Sequence, residues 1–242
     1  MEKGQDTDFN LEQSDDFSAD FFNNFSLLKG VSLLFSLFIL FTALRGPFPN
    51  LIQRAIFIGF GLVLAFLLHP TYQGKNKFKK LLDIIFIILA ICSTAWVVIN
   101  YNRFMVQTTS TNWLDLTLAV TTILLILEAT RRIMGPIFAI LTVFSILYAI
   151  LGPWFPGDFA HKGFSPVFML QHLYITSRGI WGFTTGIMAS IVAIFIIFGQ
   201  VISSTGGAAA FFSFAMKLSG KQTGGPAKVA VIGSSLFGML SG

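Results

Sequence analysis

Long apolar runs separated by short polar linkers dominate the chain. A helix of about 20 apolar residues crosses the hydrocarbon core of a bilayer, and proline, glycine or charged residues stand between consecutive runs, where a helix would end. The linkers are short, so consecutive helices should be antiparallel neighbours. The pattern predicts six spans, at 27–44, 51–69, 81–100, 113–130, 134–152 and 180–203.

The longest polar stretch between these spans covers residues 153–178. Within it, 166–178 begins with proline and predicts an amphipathic helix lying in the membrane interface. Trp154, Phe155, Phe159, Phe164 and Tyr174 fall in this stretch. Aromatic side chains of this kind favour the level of the lipid headgroups.

After the sixth span the apolar runs become too short to cross. Residues 207–218 would make a helix only about 18 Å long at about 1.5 Å per residue, and 229–242 is an uncharged run of 14 residues. We expect 229–242 to be the first arm of a re-entrant hairpin. We also expect the chain to be the N-terminal part of a longer membrane protein; the alternative is a natural C-terminus that ends in a re-entrant stub. The predicted fold class is an all-α polytopic membrane bundle.

Composition supports the membrane interpretation. Hydrophobic residues make up 54% of the chain and charged residues 11%, against roughly 25% charged in a soluble domain. These values exclude an ordinary soluble enzyme and a disordered protein. The single cysteine, Cys92, excludes a disulfide scaffold and a thiolate metal site within one chain.

The first 26 residues form an acidic tail that carries five phenylalanines. A secretory signal needs a basic start and an apolar middle, and the tail has neither. We expect residues 1–15 to be disordered. Residues 16–26 could form an interfacial helix or turn, or simply continue the flexible tail.

Basic residues predict the orientation, because they concentrate in cytoplasmic loops. With the N-terminus inside, eleven of the 16 lysines and arginines are cytoplasmic and five are external. The chain should therefore lie in the cell (inner) membrane with a cytoplasmic N-terminus. The net charge of +5 reflects these loops, so no nucleic-acid partner is expected. The external residues are Arg45, Arg54, Arg103, Lys162 and Arg178.

Ionisable residues stand near the ends of the predicted spans. Asp83 is close to Lys79 and Lys80, and Asp115 can reach the opposite interface. Glu128 lies three and four residues before Arg131 and Arg132, a spacing that places an interfacial ion pair on one helix face. We interpret all of these as paired charges at helix ends.

No catalytic or metal-binding pattern is visible. His69, His161 and His172 lack metal-ligand spacing, and no serine has a histidine partner on a facing span. We therefore expect no enzymatic activity, no metal and no cofactor.

Small and hydroxyl residues form two further patterns. Gly182, Gly186 and Ser190 share one helical face and predict close helix packing. The half-length segment that begins at 229 is rich in glycine and serine. Half-length helices expose backbone groups at mid-membrane, where transporters hold ions and anions. The candidate ion- or substrate-binding residues are Ser234, Ser235, Ser241 and Gly242.

The runs QTGGPAKVAV (222–231) and GSSLFGMLSG (233–242) resemble the start of the large permease subunit of TRAP (tripartite ATP-independent periplasmic) transporters. The EATRR run at 128–132, the HKGFS run at 161–165 and the HLY run at 172–174 resemble the form in which the small four-span subunit is fused to the large one. The resemblance covers residues 128–242. It implies an acidic tail (1–26), a four-span small-subunit-like scaffold (27–130), a connector span with an external loop (131–178) and the start of the transport subunit (179–242).

The resemblance also implies an activity and partners. The complete protein would be an elevator-type symporter that takes up small organic anions, such as carboxylates, with Na⁺ as the coupling ion. An extracytoplasmic substrate-binding protein would deliver the substrate, and the remainder of the large permease subunit would complete the site. From the residues alone, a non-transporting membrane scaffold or sensor module remains the alternative.

Overall fold

A computed structural model describes residues 11–71, 77–106, 112–220 and 223–241. These residues are mainly α-helical and contain no strand. The helices are α1 (Leu11–Arg45), α2 (Asn50–Leu68), α3 (Lys77–Ile99), α4 (Tyr101–Val106), α5 (Trp113–Met134), α6 (Pro136–Leu151), α7 (Pro166–Leu170), α8 (Phe183–Ile187), α9 (Ala193–Ser204), α10 (Gly207–Ser219) and α11 (Gly225–Ser241). One π-helical turn, Gln171–Ile175, extends α7, and a second, Met188–Val192, joins α8 to α9.

Six helical segments in the described residues are long and apolar enough to cross a membrane, which confirms the predicted helical polytopic bundle. The sixth segment consists of α8, the second π-helical turn and α9 in succession. The six segments are Leu27–Arg45, Asn50–Leu68, Lys80–Ile99, Trp113–Met134, Pro136–Trp154 and Phe183–Ser204.

Helices α1, α2, α3 and α5 pack into a unit that we call the four-helix module. Its closest pair is α2 and α3, because small residues face each other there. A Cβ atom placed on Gly59 would lie 2.8 Å from the Thr94 hydroxyl, so the two backbones approach as closely as only glycine permits. Buried apolar side chains on either side of this contact form two clusters, one with Leu51 and Val97 and the other with Phe66 and Leu125.

The module has two ends, named here after their buried aspartates. At the Asp115 end α2 and α5 begin, α3 finishes, and the segment 170–181 lies against them. At the Asp83 end α2 and α5 finish and α3 begins. The antiparallel arrangement brings polar residues that are distant in sequence to the same end.

Helix α6 is exposed along its whole length and has no buried residue. Large apolar side chains such as Ile137 and Ile140 are 74% and 65% exposed. Such a surface would be unfavourable in water at roughly 25 cal/mol per Å² of apolar area, whereas in a bilayer it contacts lipid chains. The exposure of α6 is therefore what a membrane-embedded connector requires.

The first helix is longer than its apolar run. It begins at Leu11, so residues 11–15, expected to be disordered, are helical, and residues 16–26 continue the same helix. Neither glycine nor proline occurs between Leu11 and Lys29, so nothing in that stretch forces the helix to end. The expectation for residues 1–10 lies outside the described residues.

The expected interfacial helix at 166–178 is shorter than predicted. Helix α7 and its π-helical turn end at Ile175, and a non-helical turn leads to Gly182. Tyr174 is completely buried, because it packs with Trp181 against the four-helix module. Trp154 and Phe159 are 87% and 71% exposed, as an interfacial position requires.

Candidate functional site

Helix α10, of 13 residues, and helix α11, of 17 residues, follow α9 after a turn at Thr205 and Gly206. Helix α11 begins at Gly225, so it is longer than the apolar run predicted from 229. Gly206 has a φ angle of +84°, a conformation that glycine adopts without strain. Helices α10 and α11 pack mainly on each other, and their main other contacts are with α9. The pair is therefore attached to the rest of the bundle chiefly through one helix.

The contact between α10 and α11 requires a glycine at position 233. A Cβ atom on Gly233 would lie 2.6–2.7 Å from the Phe212 ring, so the ring rests directly on the α11 backbone. Ala215, on α10, is completely buried. Ser234, a candidate ligand, directly follows Gly233, so this contact determines how the candidate site is held.

We expect Gly233→Ala to push α10 and α11 apart and to lower the melting temperature of the purified protein. The matched control is Gly238→Ala, where a Cβ atom would meet nothing within 4 Å; there alanine should be neutral or slightly stabilising. Thermal unfolding in detergent checks the pair. Equal melting temperatures for the two variants would contradict the contact.

The four candidate site residues are placed as follows. Ser234 and Ser235 are exposed, and the Ser235 hydroxyl donates to the Val231 carbonyl at 2.7 Å. Ser241 ends α11. Gly242 lies outside the described residues. The site assignment therefore remains a prediction.

The packing residues Gly182, Gly186 and Ser190 do not lie on one regular helix. Gly182 precedes α8 in an extended conformation, because the buried Trp181 turn delays the start of the helix. Gly186 lies within α8, and a Cβ atom there would be 2.7–2.9 Å from the Arg54 guanidinium of α2. Ser190 lies in the π-helical turn, with its hydroxyl bonded to the Gly186 carbonyl. The space that glycine leaves at position 186 is thus occupied by the Arg54 side chain. Of the three packing residues, Gly186 is the one that permits this close approach.

An ionic cluster lies at the Asp83 end of the four-helix module. Glu128 accepts hydrogen bonds of 2.8 Å from both Arg131 and Arg132. Arg132 also binds Asp83 of α3 at 2.7 Å and the His69 carbonyl at 3.0 Å. Asp83 was expected beside Lys79 and Lys80. In the structure Asp83 binds Arg132 and the Thr71 hydroxyl, because α5 packs against α3 at this end.

The Arg132 guanidinium is enclosed and the Arg131 guanidinium is not. The Arg132 side chain is 6% exposed and that of Arg131 is 54% exposed. The guanidinium carbon of Arg132 lies 4.9 Å from the Phe66 ring centre and 5.3 Å from that of Phe86, within the range of cation–π attraction. Arg132 thus joins the ends of α2, α3 and α5.

A second cluster surrounds Asp115 at the other end. Asp115, in the first turn of α5, is completely buried among protein groups. Its carboxylate accepts hydrogen bonds from Arg103, from the Trp96 ring nitrogen at 2.9 Å and from the Asn112 backbone at 3.0 Å. The burial arises because α4 folds the Arg103 side chain over the start of α5.

Tyr174 lies beside this cluster. Its hydroxyl donates to the Ser93 carbonyl at 2.7 Å. Burial, and to a lesser degree the negative charge of Asp115, raises the pKa of Tyr174 above its ordinary value. The hydroxyl therefore stays protonated as a donor, and it fastens the segment after α7 to α3.

The side chains of His161 and His172 make local contacts. His161 bonds the Tyr148 carbonyl at 3.1 Å and accepts from the Gly163 amide at 3.0 Å, which folds the loop after α6. The His172 ring stacks on Phe168. Among the described residues, no group of three or more His, Cys, Asp or Glu side chains lies close enough to hold a metal ion.

Sequence reasoning missed Gln53, Arg54, Arg103 and Trp181. Gln53 and Arg54 carried a usable signal, since polar residues in the first turns of an apolar run are costly to bury without partners. The partners themselves could not be identified, because they are backbone carbonyls more than 100 positions away.

Comparison with known proteins identifies a family match in the second half of the chain. Residues 121–242, from within α5 to the end of α11, match the family model described as "Tripartite ATP-independent periplasmic transporter, DctM component". No curated protein and no solved structure matches the chain. The match covers the residues on which the resemblance was based. The chain belongs to the DctM family of TRAP transporter permeases.

Proposed function

We propose that this chain is the N-terminal part of a permease that couples Na⁺ entry to uptake of small organic anions, with carboxylates as the expected class. The family match over α6–α11 is the observation that carries the proposal. The small four-span subunit would correspond to the four-helix module, fused through α6 to the start of the transport subunit. We further propose that the chain has no enzymatic activity and needs no cofactor.

The architecture supports a moving part built on α10 and α11. Helix α10 is too short to cross a membrane, and both helices are attached to the rest of the bundle chiefly through α9. Helix α11 carries serine and glycine among apolar residues, with no acidic residue along its length. Hydroxyl groups and free carbonyls at helix ends suit Na⁺ and a substrate carboxylate. In an elevator mechanism this pair would travel while the four-helix module stays fixed.

The charge distribution supports an N-terminus in the cytoplasm. Arg131 and Arg132 stand at the Asp83 end, and Lys77 and Lys80 begin α3 at that same end. The positive-inside rule then assigns the Asp83 end to the cytoplasm. The Asp115 end, with the exposed loop around Trp154 and Phe159, would face outward. An extracytoplasmic binding protein would deliver its substrate on that outer side.

Cysteine accessibility checks this orientation. In a Cys92→Ser background, we expect Lys77→Cys to react with a membrane-impermeant maleimide only after cell lysis. Asp158→Cys, in the exposed loop at the opposite end, should react in intact cells and serves as the matched control. Labelling of Lys77→Cys in intact cells would reverse the assignment.

Uptake measurements test the function. The full reading frame that encodes this chain is reconstituted in proteoliposomes with its binding protein and supplied with labelled carboxylates, with and without an inward Na⁺ gradient. We expect uptake that needs both the binding protein and the gradient, and none from residues 1–242 alone. Uptake driven by a pH gradient without Na⁺ would contradict sodium coupling, and no uptake of any organic anion would contradict the proposed function.

The same assay tests the candidate ion site. Ser241→Ala should weaken the dependence of uptake on Na⁺. The control is Ser145→Ala on the exposed helix α6, whose hydroxyl bonds only its own helix at the Leu141 carbonyl. An unchanged Na⁺ titration for Ser241→Ala would remove Ser241 from the site.

A further inference from the structure

Two polar side chains lie near the start of α2, a helix that is otherwise apolar. Gln53 is 4% exposed, and Arg54, the next residue, is partly buried. Burying an amide or a guanidinium without partners is unfavourable by several kcal/mol. Their hydrogen bonds therefore indicate what these residues are for.

The Gln53 amide joins three parts of the chain. Its nitrogen donates to the Ala189 carbonyl at 3.1 Å and to the Thr42 hydroxyl at 3.3 Å. Its oxygen accepts from the Phe48 backbone at 3.4 Å. One side chain thus connects the end of α1, the turn that follows it and the π-helical turn between α8 and α9.

The Ala189 carbonyl is available because the helix is irregular there. In a regular α-helix the Ala193 amide would bond to Ala189. In the π-helical turn it bonds to the carbonyls of Met188 and Ser190 instead. Gln53 takes the place of the lost helical partner. A buried carbonyl without a donor would be costly, so the π-helical turn and Gln53 stabilise each other.

Arg54 makes a similar contact with a carbonyl eight residues earlier in the chain. Its guanidinium donates to the Trp181 carbonyl at 2.7 Å, in the turn before α8. Gly186 provides the space, since a Cβ atom there would overlap the guanidinium. Trp181 is itself completely buried, and its ring nitrogen bonds the Tyr174 carbonyl. The turn that leads into the sixth span is thus held by two contacts of Trp181, one from its carbonyl to Arg54 and one from its ring to Tyr174.

We propose that Gln53 and Arg54 are positioning residues that fix the sixth span to the four-helix module by binding backbone carbonyls left free by irregular turns. The anchored segment is the first span after the outer loop within the DctM-family region. Motion during transport is a premise that rests on the proposed function. Given that motion, the anchor keeps the sixth span fixed to the four-helix module, and only the residues after Gly206 move.

Hydrogen exchange tests the anchor without reference to transport. In Gln53→Leu and Gln53→Glu, both of which lose the donor to Ala189, we expect amides in 183–204 to exchange about fivefold faster, as the loss of one such hydrogen bond implies. Amides in 50–68 and 80–99 should be unchanged. The matched control is Gln200→Leu, on the exposed side of α9, which should leave both regions unchanged. Unchanged exchange in 183–204, or equal acceleration in all helices, would overturn the proposal.

Arg54 provides a second measurement. Arg54→Ala should accelerate exchange in 183–192, and Arg54→Lys, which keeps a donor and the charge, should restore part of the protection. Equal exchange for the alanine and lysine variants would show that the bond to the Trp181 carbonyl does not position the span.

The full-length protein then connects the anchor to transport. Gln53→Leu should lower the maximal uptake rate and leave half-saturation for substrate and Na⁺ unchanged, because Gln53 touches neither. Altered half-saturation with unchanged maximal rate would contradict a positioning role. If the unmodified protein shows no uptake, the proposed function fails, and the hydrogen-exchange result still decides the anchor.

Discussion

Arg132→Ala is expected to lower the free energy of unfolding by about 3–5 kcal/mol, the range seen when one partner of a buried ion pair is removed. The side chain is 6% exposed and binds Asp83, Glu128 and the His69 carbonyl. Its removal takes the Arg132 guanidinium away from the mostly buried Asp83 carboxylate. It also removes the cation beside the Phe66 and Phe86 rings, so α2, α3 and α5 lose the polar contact that they share at this end.

The neighbouring arginine is a matched control. Arg131→Ala removes the same side chain from the same helix turn, but Arg131 is 54% exposed and binds only Glu128. Exposed pairs of this kind contribute less than about 1 kcal/mol. Unfolding of both variants by denaturant in bicelles measures the difference. Equal losses would show that burial of Arg132 has no energetic consequence.

Asp115→Ala is expected to cost about 3 kcal/mol, again because a buried charge loses its partner. The carboxylate is completely buried and accepts from Arg103, Trp96 and the Asn112 backbone. The Asn112 bond belongs to the capping box of α5, so the start of that helix should fray as well. Asp115→Asn keeps the shape and part of the hydrogen bonding, and we expect it to lose less.

Asp158→Ala serves as the control for charge removal, because Asp158 is exposed in the loop after α6. Thermal unfolding of the three variants in the same detergent checks the order. A melting temperature for Asp115→Ala equal to that of Asp158→Ala would contradict the structural role of the buried cluster.

The two clusters join α3 and α5 at both ends of the four-helix module, and the Asp83 cluster also includes the end of α2. The module has no charged residue at the middle of its spans, and its ionic contacts lie where the helices end. A transport scaffold needs this property if α10 and α11 move against it.

Contacts within one helix follow from spacing alone. Glu128, Arg131 and Arg132 are three and four residues apart, and helical geometry places their side chains together. The sequence also determined the six apolar spans and the membership of the DctM family. Both rest on local patterns, since span length is set by bilayer thickness and the family motifs are continuous runs.

Only the tertiary structure decided which polar groups meet across helices. The contacts of Arg132 with Asp83, Arg103 with Asp115 and Gln53 with Ala189 join residues 12–136 positions apart. Apolar periodicity cannot identify such partners in a membrane protein, because the lipid-facing and buried faces are equally apolar. The π-helical turn at 188–192 was unpredictable for the same reason, since its stability depends on a donor supplied by another helix.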